Sequence, residues 1–406
     1  MGTGKTSATI TYLNEHKGER FIYITPYLDE AARIKAGCPE MRFVEPSNGI
    51  KSFNYTKKGH TADLIRQGKN IATTHQAFKG YSSQMLDDIR SGGYTLIIDE
   101  NVDVLEKYEI HPGDLQMAFD AGYIKEENGE ISLTEKEYKG CIMSELFSMM
   151  QSRKLIRSLG AKEGELYYWA LPPELITSFK NVYVLTYLFE GQSLHHFFKM
   201  HGLPYEKIGV QKIDDGWFRF CEYPGYTPEY VHHIKDMLHI IDGQRMNEIG
   251  DSYYALSMSW FNHGGSDVEQ LKLNVSNFFN NLNRGADPMD RLCGAYKCAV
   301  SAIKGKGYSK SFIAYNTKAT NAYRNCTNLA YVTNIFMDVG TKLLYTNRGI
   351  DVDEDMYALS IMVQWIWRSA IRDGNEVYLY LPSKRMRMIL TDWMDSISKG
   401  GESNGN

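Results

Sequence analysis

A chain of 406 residues exceeds what one hydrophobic core ordinarily supports, which predicts two domains with room for an insertion. Apolar content of 43% and charged content of 23% match an ordinary globular protein, and a formal net charge of −4 excludes a global attraction to nucleic acid, so any such binding must use local basic patches. Cys38, Cys141, Cys221, Cys293, Cys298 and Cys326 form no Cys-x-x-Cys pair and have no zinc-finger spacing, and the chain shows neither a signal peptide nor a spanning apolar run. Reduced thiols in a cytoplasmic protein without membrane contact are expected.

The chain opens on Met1-Gly2-Thr3-Gly4-Lys5-Thr6-Ser7, and residues 7–13 read as a helix. Small glycines let successive backbone N–H groups turn inward around a phosphate, Lys5 supplies a point charge, and the Thr6 hydroxyl can hold Mg²⁺. The spacing Gly-x-x-x-x-Gly-Lys places its first glycine ahead of Met1, so an apolar strand encoded upstream and an internal start are expected. The competing reading of these residues is a flexible N-terminus.

Residues 20–26 are a short apolar run with β-branched bias, hence a buried strand ending in Thr25-Pro26, and residues 29–35 follow as a helix with an acidic start. Residues 70–78 repeat the pattern, a strand giving way to a polar tip at Thr73, Thr74, His75 and Gln76. The run at 94–100 is the informative strand, because it ends in two adjacent carboxylates, Asp99 and Glu100. Asp99 would reach Mg²⁺, and Glu100 would orient and deprotonate the water that attacks a γ-phosphate. Strands alternating with helices imply a mostly parallel sheet with function at its carboxyl edge.

These residues resemble superfamily 2 helicases, the DEAD/DEAH-like nucleic-acid-dependent ATPases. Gly2-Thr3-Gly4-Lys5-Thr6 looks like their motif I, Thr25-Pro26 like motif Ia, and Asp99-Glu100-Asn101-Val102 like motif II, with Asn-Val where Ala-Asp or Ala-His usually stands. The resemblance implies that Thr25, Pro26, Thr74, His75 and Gln76 touch the phosphate backbone of a single strand. Residues 104–180 read as a charged, mostly helical insertion, with a Met and Leu stripe as its core and Lys154, Arg157 and Lys162 on a solvated helix face or a nucleic-acid patch. Residues 181–190 form the next buried strand, whose end at Thr186-Tyr187 resembles motif III.

Residues 223–228 are a turn or linker, and the segments 252–261 and 268–282 read as amphipathic, with their aromatics expected in the core and base-stacking platforms as the competing reading. A strand at 310–316 leads to Asn316, Thr317, Lys318 and Thr320, where the motif opening a helicase second lobe is expected to contact phosphate. Thr346-Asn347-Arg348-Gly349-Ile350-Asp351 resembles the end of motif V. The segment 364–372 resembles motif VI: Gln364 and Arg368 keep the family's offset, Trp367 replaces its glycine, and Arg372 falls one position late. On one helix, Gln364, Arg368 and Arg372 would share a face and deliver an arginine finger to the γ-phosphate. A strand at 375–382, the basic residues Lys384, Arg385 and Arg387, and a helix at 386–394 close the fold.

The resemblance therefore implies an α/β fold of two RecA-like lobes with mostly parallel sheets, at residues 1–205 and 206–395, before a disordered tail at 396–406. It also implies ATP and Mg²⁺ held by Gly2, Thr3, Gly4, Lys5, Thr6, Ser7 and Asp99. The expected function is a nucleic-acid-dependent ATPase, a DNA helicase or translocase of bacteriophage replication or recombination. Its partners would be single-stranded or partly duplex DNA and replication proteins. The alternatives are a viral DNA-packaging ATPase, which should carry a carboxylate-clustered nuclease after the ATPase, and a catalytically weak nucleic-acid-binding or interaction protein with a truncated phosphate loop.

Overall fold

The computed structural model describes residues 4–49, 56–160, 164–214, 216–225, 234–242, 245–282, 287–317 and 322–398. The chain divides into two compact units, Gly4–Cys221 with Asp338–Val352, and Glu222–Met337 with the described part of Asp353–Asn406. Sequence placed the boundary at 205/206 instead. Gly2, Thr3, Lys162, Lys318, Thr320 and the tail from residue 399 lie outside the described residues.

In the first unit the helix α1 (Lys5–Glu15) leads into β1 (Phe21–Thr25), a strand buried at every position. Next come β2 (Ile71–Thr74) and β3 (Thr95–Asp99), both pairing with β1 in parallel. Fully buried Phe21, Ile22, Tyr23 and Ile24 show why this run is a central strand: its alternate side chains enter two separate apolar clusters, one on each face.

After β3 the chain leaves the sheet for β4 (Leu105–Tyr108), β5 (Ile124–Glu127), β6 (Glu130–Leu133), β7 (Lys154–Gly160) and β8 (Gly164–Ala170), an antiparallel sheet in the order β4-β8-β7-β6-β5. The expected helical insertion is thus corrected to a mainly β one, with helices at Pro112–Asp120 and Ser144–Met150. The aromatic run Tyr167, Tyr168 and Trp169 decides the matter, because a strand buries such residues on both of its faces at once. Leu155, Tyr167 and Trp169 pack with Leu115, Ala118 and Phe147. On the other face, Tyr168 and Leu166 meet Gly340 of the helix Val339–Thr346, and the Tyr168 hydroxyl donates to Asp338 over 3.1 Å. A β-carbon on Gly340 would lie 2.2 Å from that hydroxyl, so the close approach requires glycine. This contact draws residues 338–352, read from sequence as part of the second lobe, into the first unit. Lys154 and Arg157 sit on a strand, paired with Glu130 and with Glu126 and Glu165.

The chain returns as β9 (Asn181–Leu185), parallel to β3, completing the order β2-β1-β3-β9. The hairpin of β10 (Ile208–Asp214) and β11 (Trp217–Glu222) follows. Phe220 stacks on Tyr183 at 5.8 Å, and Arg219 pairs with Glu15 at 2.6 Å, which is why the unit runs on to residue 221.

The second unit holds β12 (Leu238–Ile240), β13 (Arg291–Ala295), β14 (Phe312–Ala314), β15 (Asn328–Tyr331) and β16 (Val377–Tyr380). All are parallel, in the order β12-β16-β15-β13-β14. Helices Ser266–Asn277, Glu354–Ile366 and Lys384–Ser398 belong to the same unit. The strand β15 carries no expectation from sequence, and Tyr253 and Tyr254, expected in the core, are 55% and 65% exposed. No described helix is long and apolar enough to cross a membrane.

Candidate nucleotide site

Gly4 stands at the N-cap of α1 with φ +78°, a left-handed conformation that glycine adopts without steric cost, and its carbonyl accepts the first helical bond from Ala8 N–H at 2.8 Å. No side chain caps this terminus and no acidic residue lies in the first turn, so the backbone N–H groups of Lys5, Thr6 and Ser7 begin an electropositive helix end. Thr9 and Thr11 donate their hydroxyls back to the Lys5 and Ser7 carbonyls.

The strand β3 supplies the acid. Asp99 is 9% exposed, and the hydroxyl of Tyr23 on neighbouring β1 donates to its Oδ2 over 2.6 Å. Burial pushes the Asp99 carboxyl up from 3.8 to about 6; the Tyr23 hydrogen bond opposes this, Glu100 and Glu30 add to it, and Lys5 opposes it. Lys5 and Asp99, far apart in sequence, therefore act on one another electrostatically. Burial first, and then the charge and hydrogen bond of Asp99, hold the Tyr23 hydroxyl protonated, well above its ordinary range, so it remains a donor.

Glu100 follows at φ +63°, left-handed for a residue with a β-carbon, its N–H bound to the Leu185 carbonyl at 3.3 Å. Strain of this kind collects where a side chain must be aimed. Asn101 takes a different part: its Oδ1 accepts from Leu194 N–H at 3.3 Å and its Nδ2 donates to Ser193 Oγ at 3.2 Å, tying the end of β3 to the helix Ser193–Met200.

The strand tips divide in their roles. Thr25 is fully buried in β1, so its hydroxyl is not presented to a nucleic-acid strand. Thr74 accepts from Ala77 N–H at 3.3 Å as the cap of a short helical turn, while Gln76 is exposed beside it. His75 turns inward, with Nε2 2.9 Å from the Asp99 carbonyl oxygen, and thereby steadies the carboxylate-bearing strand end. Pro26 is half-buried at the end of β1.

Two residues near the site were not anticipated. Tyr23 reaches Asp99 only because β1 and β3 are neighbours, a pairing no local signal announces. Phe218, on β11, lies against Gly4 so closely that a β-carbon there would be 2.4 Å from its ring.

In the second unit, the helix carrying Gln364 ends at Ile366. Arg368 follows in a turn, 6% exposed, and Arg372 sits in a separate 3₁₀ turn, Ala370–Asp373. The single helical face expected for Gln364, Arg368 and Arg372 is therefore corrected: Ser369, whose hydroxyl donates to the Ile366 carbonyl at 2.6 Å, marks the break. Asn316 is exposed just past β14.

Among the described residues no three His, Cys, Asp or Glu cluster as metal ligands. The two groups expected to hold Mg²⁺, the Asp99 carboxylate and the Thr6 hydroxyl, are hard oxygens of the kind it takes when phosphate and water complete its shell.

A family model described as the YonV C-terminal Rossmann-like domain matches residues 232–394. The chain is 36% identical over 405 residues to the SPbeta prophage-derived uncharacterized protein YonV of Bacillus subtilis (strain 168), covering 98% of this chain and 97% of that protein. Among solved structures, a chain titled XPD_APO overlaps with a TM-score of 0.40 at 11% identity, covering 96% of this chain and 93% of that one.

Proposed function

We propose that this chain, which belongs to the YonV family, is a nucleic-acid-dependent ATPase that binds ATP with Mg²⁺ at the N-terminus of α1 and couples hydrolysis to movement along a strand, DNA by preference. The prophage origin of its relative suits work in phage DNA replication or recombination. One observation carries the reading: a buried carboxylate, Asp99, ends a central parallel strand within electrostatic reach of Lys5. Burying a carboxylate is costly unless positive charge comes to it. Lys5 and the first-turn N–H groups of α1 would hold the phosphates, Thr6 and Asp99 the metal, and Glu100 the attacking water. Bound Mg²⁺ would neutralise phosphate oxygens as charge shifts onto the leaving group.

A second reading, nucleotide binding without turnover, is favoured by the Phe218 ring packed on Gly4. One experiment separates the two: ATP hydrolysis by the full chain with and without single-stranded DNA, for the parent, Glu100→Gln and Lys5→Ala. Strand-stimulated turnover in the parent, lost by roughly 100-fold or more in Glu100→Gln with nucleotide still bound, is the expected result. Lys5→Ala should lose nucleotide binding itself. Equal rates for the parent and Glu100→Gln would overturn the hydrolase assignment.

A further inference from the structure

At the carboxyl end of β15, Asn334 is fully buried and works as a hub. Its N–H donates to the Leu256 carbonyl at 2.9 Å, and its Nδ2 donates to the carbonyls of Tyr253 at 2.8 Å and Ala255 at 3.0 Å. Its Oδ1 accepts from Arg385 at 3.0 Å and its carbonyl from the Tyr296 hydroxyl at 2.8 Å. The loop so held contains Leu256 at φ +64°, a strained conformation for a branched side chain.

What this hydrogen bonding and strain hold in place is a pair of solvent-facing rings. Tyr253 and Tyr254 meet edge to face at 4.9 Å and 90°, and each also touches Phe336, at 5.5 and 5.6 Å. The guanidinium of Arg385 lies 4.4 Å from the Phe336 ring centre and 5.8 Å from that of Tyr253, supporting the cluster from the buried side. Packing alone gives no reason for two adjacent tyrosines to remain more than half exposed on a loop fixed this firmly.

Ser252 and Ala255, which bracket the tyrosines, line a cavity of about 550 Å³. Its wall also includes Trp260, Arg245, Glu248, Asp267 and Gln270. The chemistry is mixed in an informative way. An indole offers a flat face, carboxylates and an amide oxygen accept from exocyclic amino groups, and one guanidinium can meet a phosphate. The carboxyl edge of a parallel sheet is also where α/β folds place ligands.

We propose that Tyr253, Tyr254 and Phe336 form a stacking platform for unpaired nucleobases, with the adjoining cavity taking one nucleotide of the same strand. This rests on the nucleic-acid reading given above, and it supplies the sequence-tolerant contact that a protein moving along a strand requires.

The test is binding of fluorescein-labelled oligothymidylate and oligouridylate to the full chain, read by anisotropy, alongside the same sugar-phosphate strand made abasic. Tyr254→Ala should weaken binding of the base-bearing strands about 5-fold to 100-fold, the range that base stacking on an aromatic ring gives, and Tyr254→Phe should stay within about 2-fold of the parent. On the abasic strand, parent and Tyr254→Ala should bind alike. Circular dichroism melting curves matching the parent confirm that the variants fold, and Tyr253→Ala gives a second reading of the same platform should one variant unfold. Unchanged affinity in the alanine variants, or an equal loss on the abasic strand, overturns the platform. A parent chain that hydrolyses ATP but binds none of the strands also overturns it while leaving the ATP site standing, whereas base-dependent binding without hydrolysis upholds the platform and removes the motor.

Discussion

Replacing Asp99 with asparagine tests the charge state on which the proposed nucleotide site depends. In the protein without metal or nucleotide, burial raises the Asp99 carboxyl from 3.8 to about 6, a shift of about two units. At roughly 1.4 kcal/mol per unit, keeping Asp99 ionised at neutral pH costs the fold about 3 kcal/mol. The sign follows from linkage. A carboxyl whose folded pKa is raised is not penalised below its unfolded value near 4, and its penalty grows as pH rises until it is complete above about 6. Asparagine keeps an oxygen for the Tyr23 hydroxyl and removes the charge, so Asp99→Asn should be more stable than the parent at pH 8 in EDTA. For a unit of this size the gain is roughly 2–4 °C per kcal/mol, about 6–12 °C in all. Differential scanning calorimetry from pH 8 to pH 4 should show the advantage shrinking through the window from 6 to 4. Adding Mg²⁺ and ATP should raise the parent's melting temperature and leave the variant's nearly unmoved. An equal melting temperature at pH 8, or a gap that does not change with pH, would refute the argument that Asp99 is held in want of positive charge.

Three further expectations follow from local geometry. Gly4→Ala should destabilise the first unit by about 2–4 kcal/mol in urea unfolding, from the positive φ and the 2.4 Å approach to Phe218, and by only about 1 kcal/mol in a Phe218→Ala background; equal costs in both would show that the ring does not rest on the loop. Glu106 accepts from Lys79 and Arg153, both nearly buried, so Glu106→Gln should cost about 2 kcal/mol. Burial alone would raise the Glu106 carboxyl, but Lys79 and Arg153 outweigh it and hold the group below its usual range. The parent's advantage over Glu106→Gln should therefore be present at neutral pH and vanish as pH falls through that lowered value, as paired melting curves would show. Gly340→Ala should cost about 1–3 kcal/mol by driving a methyl group into Tyr168 and Leu166, and limited proteolysis should then cut near residues 338–352 first; an unchanged cleavage pattern would mean the segment is not held by that contact.

How far the chain could be read in advance depends on the range of the interactions involved. The strands β1 and β3 were legible because a central parallel strand is a nearly continuous apolar run that stops abruptly, so Thr25 and Asp99 mark their own ends, and β9 at the sheet edge was legible from its Val, Tyr and Leu residues. Asp99 stands out for the same local reason, as the acid on which an apolar run stops. What escaped was set by pairing across the chain. Tyr23 looks like any aromatic in a buried strand until the order of the sheet puts it beside Asp99. His75 sits in a polar tip and was expected to touch a nucleic-acid strand, and the parallel alignment of β2 with β1, and β1 with β3, brings its ring onto the Asp99 carbonyl. The insertion was misread because its charged residues suggest a helix surface, whereas Lys154 and Arg157 face cross-strand glutamates that only the β-sheet register supplies. Tyr253 and Tyr254 were read into the core of an amphipathic segment, ahead of a base-stacking role, and a single asparagine about 80 residues later, Asn334, fixes the turn that exposes them. The pattern has a physical cause: backbone hydrogen bonding and apolar burial act along a segment and leave a local trace, while a polar residue's role is decided by whichever partner the topology delivers. For this fold, the proposed nucleotide site therefore rests on strand ends that declare themselves, and the proposed nucleobase platform on a buried amide whose partners appear only once the sheet is assembled.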